Sequence, residues 1–397
     1  MKKFWKILLL VLAFAAAIGA AVLITYTQTA NYYMNEAYPA SRTAQKTEEI
    51  QAYLDYYFID EYDDEKLADA AAAAMIEATG DQWSYYLTAA EYDDYVEAMQ
   101  NAYVGIGVTI AVSEDDGGML VKDVVPDGPA CEAGIENGDV ITEVEGQKTL
   151  DLGINGTRAL VRGEEGTRVH MTLVRDGQTL ELDVERRSIE TVVAEGELLD
   201  GDIGYVRISN FDERCADETI GWIEQLLAQG AKGFIFDVRF NGGGYADEMV
   251  RVLDYIQPEG DLFVSVDYAG NREVDTSDAS CLGLPVAVLV NEDSYSAAEF
   301  FASSFQEFGT GVVVGAKTCG KGNFQTSFQL TDGSLINISI GKYYTPSGRS
   351  LSETGVTPDI AVDITDEDYE LLYYNELAPE DDTQLQAALD AVRAKIS

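Results

Sequence analysis

Hydrophobic and polar positions divide the chain into stretches with different periodicities. An unbroken apolar run from Ile7 to Ile24 comes first, and residues 40 to about 100 follow a helical pattern. From Tyr103 to about Arg187, short alternating runs separated by turns predict strands. From Gly201 onward, strand and helix patterns alternate, which is typical of a mixed α/β layer. The C-terminal end returns to an acidic helical pattern.

The N-terminal helical region contains two predicted helices. Lys66 to Thr79 consists of strong helix formers, and the Gly80-Asp81 pair ends it. A second, amphipathic stretch runs from Ala89 to Asn101. No residue type here points to chemistry, so packing or dimerisation is the expected role, and a homo-oligomer is compatible with the sequence.

A triple glycine, Gly242 to Gly244, follows the predicted buried strand that ends at Val238 in the C-terminal half. Glycines in such a turn leave backbone N–H groups free to face a ligand or a developing negative charge, although an ordinary tight turn explains them as well. The absence of a following Lys-Ser/Thr disfavours a nucleotide phosphate loop. The predicted strands are 203–208, 233–238, 285–290 and 312–314, and the predicted helices are 216–228, 247–256 and 384–396.

The first apolar run predicts a membrane anchor. Its eighteen residues nearly span a bilayer core, and Lys2, Lys3 and Lys6 precede it, which favours a cytoplasmic N-terminus. A cleaved signal peptide is the alternative, because the run is rich in alanine. Both interpretations place the remainder outside the cytoplasm, and the first makes this a single-pass protein of the cell membrane.

Charge and composition exclude several functions. The chain has 70 acidic and 26 basic side chains, a formal net charge of -44, which repels phosphate backbones and argues against a nucleic-acid partner. His170 is the single histidine and lies in an alternating strand pattern, where a structural role is expected. A His-ligated zinc site is therefore disfavoured, no metal or other cofactor is expected, and any Ser-His-Asp triad would have to use His170.

Four cysteines are spaced too widely for metal-binding motifs. They allow three disulfide pairings, but such spacings are more typical of unpaired thiols. One of them, Cys319, lies two residues before Lys321, which raises the hypothesis of a thiol nucleophile. No histidine is nearby to form a thiolate, so this hypothesis ranks low. The cysteines are Cys131, Cys215, Cys281 and Cys319.

The stretch from Asn291 to Gln325 holds the candidate chemistry. Ser296 follows a buried strand and precedes a helix, and it is either an exposed nucleophile or the first residue of a capping box with Glu299. Lys321, between two glycines, is the candidate general base that tips the choice toward the nucleophile. Gln325, four residues on, is expected to share a strand face with Lys321 and to orient its amine. A useful base needs its pKa lowered by roughly three units, which requires burial.

Residues 103–188 resemble a PDZ domain. The stretch GIGV, comprising Gly105, Ile106, Gly107 and Val108, corresponds to the carboxylate-binding loop, and AGIENGDVI corresponds to the following helix and strand. Arg175 to Gln178 forms a predicted hairpin turn. The resemblance implies capture of C-terminal peptide tails in backbone amides.

A second resemblance covers most of the predicted exported part. The chain resembles the carboxyl-terminal processing peptidases, also called tail-specific proteases, and the 25-residue interval from Ser296 to Lys321, followed by Gln325, matches their catalytic serine, lysine and glutamine. The resemblance implies an oxyanion hole made by the N–H groups of Gly243 and Ala297. It also implies that the PDZ segment binds the substrate tail and helps to switch the protease on. The matching motifs are, in order, GDQWSYYL, GIGV, AGIENGDVI, DVRFNGGG, SYSAAE, GKGNFQ, YYTPSGRS and GVTPDI.

The family's architecture would be a crotonase- or Clp-protease-like ββα catalytic layer with an inserted PDZ domain. Two motifs depart from the family pattern. Tyr295 and Ala298 replace an alanine and a serine in SASASE, and Trp83 stands in GDQWS where GDPYS is usual. We expect the first departure to leave the catalytic position unchanged while altering the shape of the pocket, and the second to be a conservative change in a packing region. The predicted segments are 1–26 (signal anchor), 27–102 (helical region), 103–188 (PDZ), 189–370 (catalytic) and 371–397 (C-terminal helical segment).

The expected protein is a membrane-anchored extracytoplasmic serine endopeptidase that cuts protein substrates near their C-termini. The main alternative is a non-catalytic, membrane-tethered PDZ scaffold that presents peptide tails to another protease. An acyl-CoA enzyme on a crotonase-like layer is a weaker alternative, because the export signal argues against it.

Overall fold

The computed structural model describes residues 24–25, 41–113 and 117–396. The chain divides into two compact units, Met1–Thr79 and Gly80–Ser397. The predicted membrane-spanning run lies outside the described residues except for Ile24. Across the described ranges, no helix has both the length and the apolar character needed to cross a bilayer.

The first unit contains two described helices, α1 (Arg42–Tyr57) and α2 (Asp64–Glu77). The Ser41 hydroxyl accepts a hydrogen bond from the first turn of α1, and the Asp63 carboxylate does the same for α2. Neither helix contains a buried residue. The helix predicted over Lys66 to Thr79 is confirmed as α2, which begins two residues earlier.

The second unit contains all the remaining described helices and strands. Its helices are α3 (Ala89–Met99), α4 (Pro129–Glu132), α5 (Thr149–Val161), α6 (Cys215–Gln229), α7 (Ala246–Ile256), α8 (Ala297–Phe308), α9 (Asp366–Tyr373) and α10 (Thr383–Ile396). Its strands are β1 (Tyr85–Leu87), β2 (Ala102–Gly105), β3 (Val108–Ser113), β4 (Gly118–Val124), β5 (Val140–Val144), β6 (Gln147–Lys148), β7 (Arg168–Arg175), β8 (Gln178–Glu185), β9 (Arg187–Glu190), β10 (Ala194–Leu199), β11 (Ile203–Ile208), β12 (Gly233–Asp237), β13 (Gly260–Asp267), β14 (Arg272–Ser277), β15 (Val286–Val290), β16 (Gly311–Gly315), β17 (Asn323–Gln329), β18 (Leu335–Tyr344) and β19 (Ile360–Ala361).

A small β-domain is inserted between β2 and β9. These two strands pair antiparallel, from Ala102 opposite Glu190 to Gly105 opposite Arg187, and so bring the two ends of the insert together. Inside the insert, β3, β4, β5, β7 and β8 form a sheet with its own buried core, which includes Met119, Ile141 and Met171. The predicted Arg175–Gln178 hairpin turn is confirmed as the β7–β8 connection.

A six-stranded sheet organises the catalytic layer in the order β10-β11-β12-β15-β16-β19. Its strands from β11 to β19 run parallel, and β10 is the antiparallel edge. The central strands β12 and β15 are buried along their whole length, because helices cover both faces of the sheet. The carboxyl ends of these strands meet at one edge, so the triple-glycine loop after β12 lies beside the Ser296 turn after β15. The mixed α/β prediction is confirmed.

A second, antiparallel sheet joins the first strand of this unit to the β17–β18 hairpin. Strand β1 pairs with β18, with Tyr85 opposite Asn337, and β17 pairs with the same strand. The turn before β1 is thereby brought close to the start of β17, which Lys321 precedes by two residues. Residues that precede the PDZ insert therefore belong to the catalytic layer.

Phe301 supports the helix that follows the candidate serine. The ring is fully buried, with its centroid 5.5 Å from that of Phe211 and 5.7 Å from that of Phe236. We expect Phe301→Ala to lower the free energy of unfolding by about 3–5 kcal/mol, because the cavity cannot close without moving neighbouring rings. Urea unfolding measures the change. Phe328→Ala, at a ring that is 46% exposed, is the matched control and should change stability by less than about 0.5 kcal/mol. Equal losses in the two variants would contradict this account of the core.

Candidate active site

Four of the predicted site residues line one cleft of about 580 Å³: Gly243, Ser296, Lys321 and Gln325. Ala297, the fifth, follows Ser296 as the first residue of α8. The four predicted PDZ residues line a separate cavity of about 210 Å³. The structure thus separates the candidate chemistry from the candidate tail-binding site, as the sequence predicted.

Ser296 stands at a sharp turn between β15 and α8. It is the N-cap residue, with φ 59° and ψ -123°, in a region that non-glycine residues rarely adopt. Such a conformation costs on the order of 1–3 kcal/mol and persists only where surrounding structure imposes it. The preceding loop is fixed by Asn291, which accepts a hydrogen bond from the Phe240 N–H, and by the Ser294 hydroxyl, which donates to the Val238 carbonyl.

Glu299 connects the serine turn to the lysine loop. Its carboxylate is fully buried and accepts hydrogen bonds from the N–H of Ser296 at 3.0 Å, the hydroxyl of Thr318 at 2.5 Å, and the N–H groups of Gly320 at 2.8 Å and Lys321 at 2.7 Å. Burial raises the pKa of Glu299 although these donors oppose the rise. The predicted capping box is confirmed. The Glu299 carboxylate also binds the backbone of the lysine loop. Ser296 can therefore be the N-cap of α8 and the candidate nucleophile at the same time.

The amine of Lys321 lies in a half-buried, aromatic environment. Its Nζ is 4.9 Å from the centroid of the Trp83 ring and 5.7 Å from that of Tyr295. Burial lowers the pKa of Lys321, while the negative charges of Asp81 and Glu299 oppose that shift. The direction is the one that a general base requires, because a lower pKa populates the neutral amine.

Gln325 lies in the cleft, but the predicted reason for its position was wrong. Lys321 precedes β17, and the pairing register of β17 shifts between Phe324 and Gln325, so the two residues do not share a regular strand face. The Gln325 amide nitrogen donates to the carbonyl of Asn323 and the hydroxyl of Ser339. In the part of the chain that the structure describes, no hydrogen bond joins Gln325 to the lysine amine.

The two predicted oxyanion donors differ in availability. A Cβ at Gly243 would lie 2.7 Å from the Cβ of Ser296 and 3.1 Å from the nitrogen of Ala297, so only glycine permits this approach. The Gly243 N–H, however, donates to the Asn241 side chain at 2.8 Å. Among the described residues, nothing accepts a hydrogen bond from the Ala297 N–H, which leaves it free to serve as a donor.

Sequence reasoning missed the role of two aromatic residues. Trp83 was assigned to a packing region, and Tyr295 was treated as a change away from the catalytic positions. Neither residue is one of the predicted catalytic residues, but both rings line the cleft and face the Lys321 amine, so Tyr295 changes the shape of the pocket as expected and Trp83 does more than pack. The only available signal was the departure of each residue from the family pattern, which does not reveal a contact across more than 200 residues of chain.

A polar network behind the cleft was also missed. The Gln325 amide donates to Ser339, whose backbone N–H donates to the Ser84 hydroxyl at 3.0 Å, and that hydroxyl donates to Asp81 at 2.6 Å. Burial raises the pKa of Asp81, but hydrogen bonds from Ser84 and Ser339 outweigh burial and lower it. Asp81 therefore carries a negative charge that acts on Lys321 and is linked to Gln325 through two serines.

The structure gives no support to a histidine-based triad or to a cysteine nucleophile. His170 lies on β7 of the insert, where its Nδ1 is 3.0 Å from a carboxylate oxygen of Asp183; this hydrogen bond raises the pKa of His170. A structural ion pair there confirms the sequence interpretation. All four cysteines are free, and burial raises the pKa of Cys319, which keeps it a thiol.

The cavity of the insert combines a glycine loop with cations. It is lined by the GIGV stretch, with Gly107 at φ +77°, and by Arg158 and Arg162. The Arg162 guanidinium forms an ion pair with Glu97 at 3.4 Å and lies 5.1 Å from the centroid of the Tyr103 ring. Arg158 is exposed and forms no ion pair with a described residue, so its charge is available to an anion.

Comparisons with known proteins identify the same two modules. Residues 202–362 match the family described as Peptidase family S41, and residues 120–175 match the PDZ domain. These ranges fall inside the predicted catalytic and PDZ segments. The chain is 32% identical over 319 residues to the carboxy-terminal processing protease CtpA of Bacillus subtilis (strain 168), covering 80% of this chain and 68% of that protein.

Two further similarities agree with this. The chain is 32% identical to a CtpA-like serine protease of Staphylococcus haemolyticus (strain JCSC1435), covering 75% of this chain and 60% of the relative. It therefore spans between three-fifths and just over two-thirds of the length of these two relatives. A crystal structure described as an S41 protease from Bacteroides fragilis NCTC 9343 matches with a TM-score of 0.52 and 20% identity, covering 91% of this chain and 98% of that one, which supports the fold.

Glu299 should be essential for the geometry of this cleft. Glu299→Ala removes the acceptor shared by four donors, and we expect the free energy of unfolding to fall by about 3–5 kcal/mol, because those donors are left unpaired in a buried place. Urea unfolding measures the loss, with Glu224→Ala, an exposed position on α6, as the control. A loss below about 1 kcal/mol would show that Glu299 does not hold the two loops together.

Proposed function

This chain belongs to peptidase family S41 and is a serine-type peptidase with a PDZ domain, and from that premise we propose that Ser296 and Lys321 form its catalytic dyad. The observation that carries the proposal is the meeting of both residues in one cleft, with Ser296 at a strained turn and Lys321 partly desolvated. The substrates we propose are proteins that are cut near their C-termini, as in the C-terminal processing branch of the family.

The proposed reaction uses proton transfer between the two residues. The neutral Lys321 amine removes the hydroxyl proton of Ser296 as its oxygen attacks the scissile carbonyl, and the resulting ammonium returns a proton to the leaving amine. Water then attacks the acyl-serine, with Lys321 again taking and returning the proton. Gln325 and the hydrogen-bond network that includes Asp81 keep the Lys321 amine oriented in the cleft.

Oxyanion stabilisation is proposed to come from the N–H groups of Ala297 and Gly243. The first is free, whereas the second is engaged by Asn241. For Gly243 to donate to the substrate oxyanion, its bond to Asn241 has to open, so we propose that tail binding promotes this rearrangement. Such a change would fit a protease that is switched on by its substrate.

Substrate selection is assigned to the insert. Backbone amides of Gly105 to Val108 and the cation of Arg158 together suit a free C-terminal carboxylate. We further propose that the N-terminal apolar run anchors the protein in the cell membrane with the peptidase on the extracytoplasmic side. The lysines before that run and the lack of basic residues within it support this orientation.

The alternative is a scaffold that binds tails without cutting them. It predicts that an acylating serine probe leaves Ser296 unlabelled while peptides still bind. A strained serine and a desolvated lysine in one cleft both lower the stability of the fold, and a scaffold that only binds peptides needs neither of them.

The dyad predicts separate effects for its two members. Ser296→Ala should abolish peptide cleavage, and Lys321→Ala should lower kcat by about 10²–10⁴-fold, because each removes a group that acts on the reacting atoms. Cleavage of peptides with free C-termini by the purified full-length protein measures both. Lys317→Ala is the matched control, since Lys317 is exposed and lies four residues before Lys321. Normal turnover by either dyad variant would refute the assignment.

The low-pH side of the kcat/KM profile, its acid limb, should reflect the loss of a proton from the Lys321 amine. Burial depresses the pKa of Lys321 below its ordinary value of 10.5, so the active neutral amine accumulates as pH rises through that lowered value. We expect kcat/KM to increase with pH and to reach half its maximum below pH 10.5. A profile that is flat from neutral to alkaline pH, with cleavage intact, would count against lysine as the base.

The PDZ assignment predicts a preference for a free carboxylate. Converting the C-terminus of one peptide from acid to amide should raise KM by about tenfold, because a charge-assisted contact of about 1.5 kcal/mol or more is lost. Arg158→Gln should reduce that difference, and Lys148→Gln, at an exposed position elsewhere in the insert, should not. Identical KM values for acid and amide would contradict carboxylate capture.

A further inference from the structure

Two residues that depart from the family pattern meet at the candidate base. Trp83 and Tyr295 are separated by more than 200 residues of chain, yet their ring centroids lie 5.8 Å apart with an interplanar angle of 32°. The Lys321 Nζ is within cation–π distance of both rings, at 4.9 Å from Trp83 and 5.7 Å from Tyr295. We call these two rings the aromatic bracket.

Each ring is held by a different part of the site. The backbone N–H of Trp83 donates to a carboxylate oxygen of Asp81 at 3.2 Å, and the turn that carries Trp83 leads directly into β1, which is paired with β18. The Tyr295 N–H donates to the carbonyl of Asn241 at 3.1 Å. Its hydroxyl lies 2.6 Å from where a Cβ of Gly242 would stand, so the ring spans the space between the lysine and the triple-glycine loop.

The bracket favours one charge state of the lysine. The face of an aromatic ring attracts an ammonium ion through its quadrupole and attracts a neutral amine much less. The other titratable groups that face the amine are Asp81, Glu299 and Cys319. The charges of the two carboxylates also favour the ammonium, the Cys319 thiol is uncharged, and burial opposes the ammonium. The rings therefore hold the side chain in the cleft in the form that must lose its proton before catalysis.

We propose that Trp83 and Tyr295 are positioning residues for Lys321, which hold its amine at the cleft and stabilise the ammonium in the resting enzyme, and so set the pH range over which this peptidase works. The proposal rests on the proposed function in taking Lys321 as the base. The contact between the rings and the lysine can be measured without any catalysis.

Leucine substitutions separate the aromatic face from apolar cover. Trp83→Leu and Tyr295→Leu keep an apolar side chain over the amine but remove the ring, whereas Trp83→Phe keeps a smaller ring. Tyr268→Leu removes an aromatic side chain that is 85% exposed on the β13–β14 turn, and it is the matched control. All four substitutions are made in the full-length protein.

Two measurements are needed. In the active protein, we expect Trp83→Leu and Tyr295→Leu to shift the acid limb of kcat/KM to lower pH by about half a unit each, and to lower the plateau kcat several-fold as the amine loses its position. Trp83→Phe should recover part of both effects, and Tyr268→Leu should cause neither. An acid limb that stays in place or moves to higher pH in both leucine variants would overturn the proposal.

The second measurement is independent of turnover. In the Ser296→Ala background with carbon-13 at the lysine ε positions, the Lys321 signal, assigned by its loss in Lys321→Arg, should be shifted upfield by the ring faces. Trp83→Leu should reduce that shift and lower the titration midpoint of Lys321. An unshifted signal overturns the bracket even if the dyad is correct. A shifted signal whose midpoint does not match the acid limb of the active protein supports the bracket and instead counts against Lys321 as the base.

Discussion

The geometry of the candidate site depends on one buried carboxylate. Glu299 joins the first turn of α8 to the loop that carries Lys321, through three backbone N–H groups and the Thr318 hydroxyl. Removing a carboxylate from water is costly, and it is tolerated here because four donors satisfy it. Those same donors fix the two loops relative to each other. A serine at an unfavourable φ and a lysine in a partly dry cleft can both persist because this connection holds them.

The surrounding fold supplies what Glu299 alone cannot. Parallel strands β12 and β15 end at the same edge of the sheet, which places the triple-glycine loop against Ser296 so closely that no side chain fits at Gly243. The antiparallel sheet brings the turn before β1 to the other side of the lysine, and this turn contributes both Asp81 and Trp83. In a chain with a net charge of -44, burial within these layers is what lowers the pKa of Lys321. The PDZ insert, closed by the β2–β9 pair, keeps its own core and its own cavity.

The groups around Lys321 have opposite effects on the protonation state of its amine. Burial favours the neutral amine, whereas the carboxylates of Asp81 and Glu299 and the two rings favour the ammonium. A base that was always neutral would need no partners, and one that was always charged could not take a proton. The balance makes the state of the lysine sensitive to anything that enters the cleft. The Gly243 N–H is likewise engaged, by the Asn241 side chain, and under the proposed mechanism it becomes an oxyanion donor only when that bond opens.

Local sequence determined a large part of this protein. Periodicity located the four central parallel strands of the six-stranded sheet, as the bounds 203–208 of β11 illustrate, because burial imposes a recognisable apolar pattern on them. It did not locate the edge strands β10 and β19 or the β13–β14 pair. The single histidine removed the common triad, and the spacing of motifs pointed to Ser296 and Lys321. Tertiary structure alone decided which residues surround the lysine. Gln325 reaches the cleft past a register shift and not along a shared strand face, and Trp83 and Tyr295 meet through the pairing of β1 with β18. Such contacts arise from long-range strand pairing, which leaves no periodic trace in the sequence on either side.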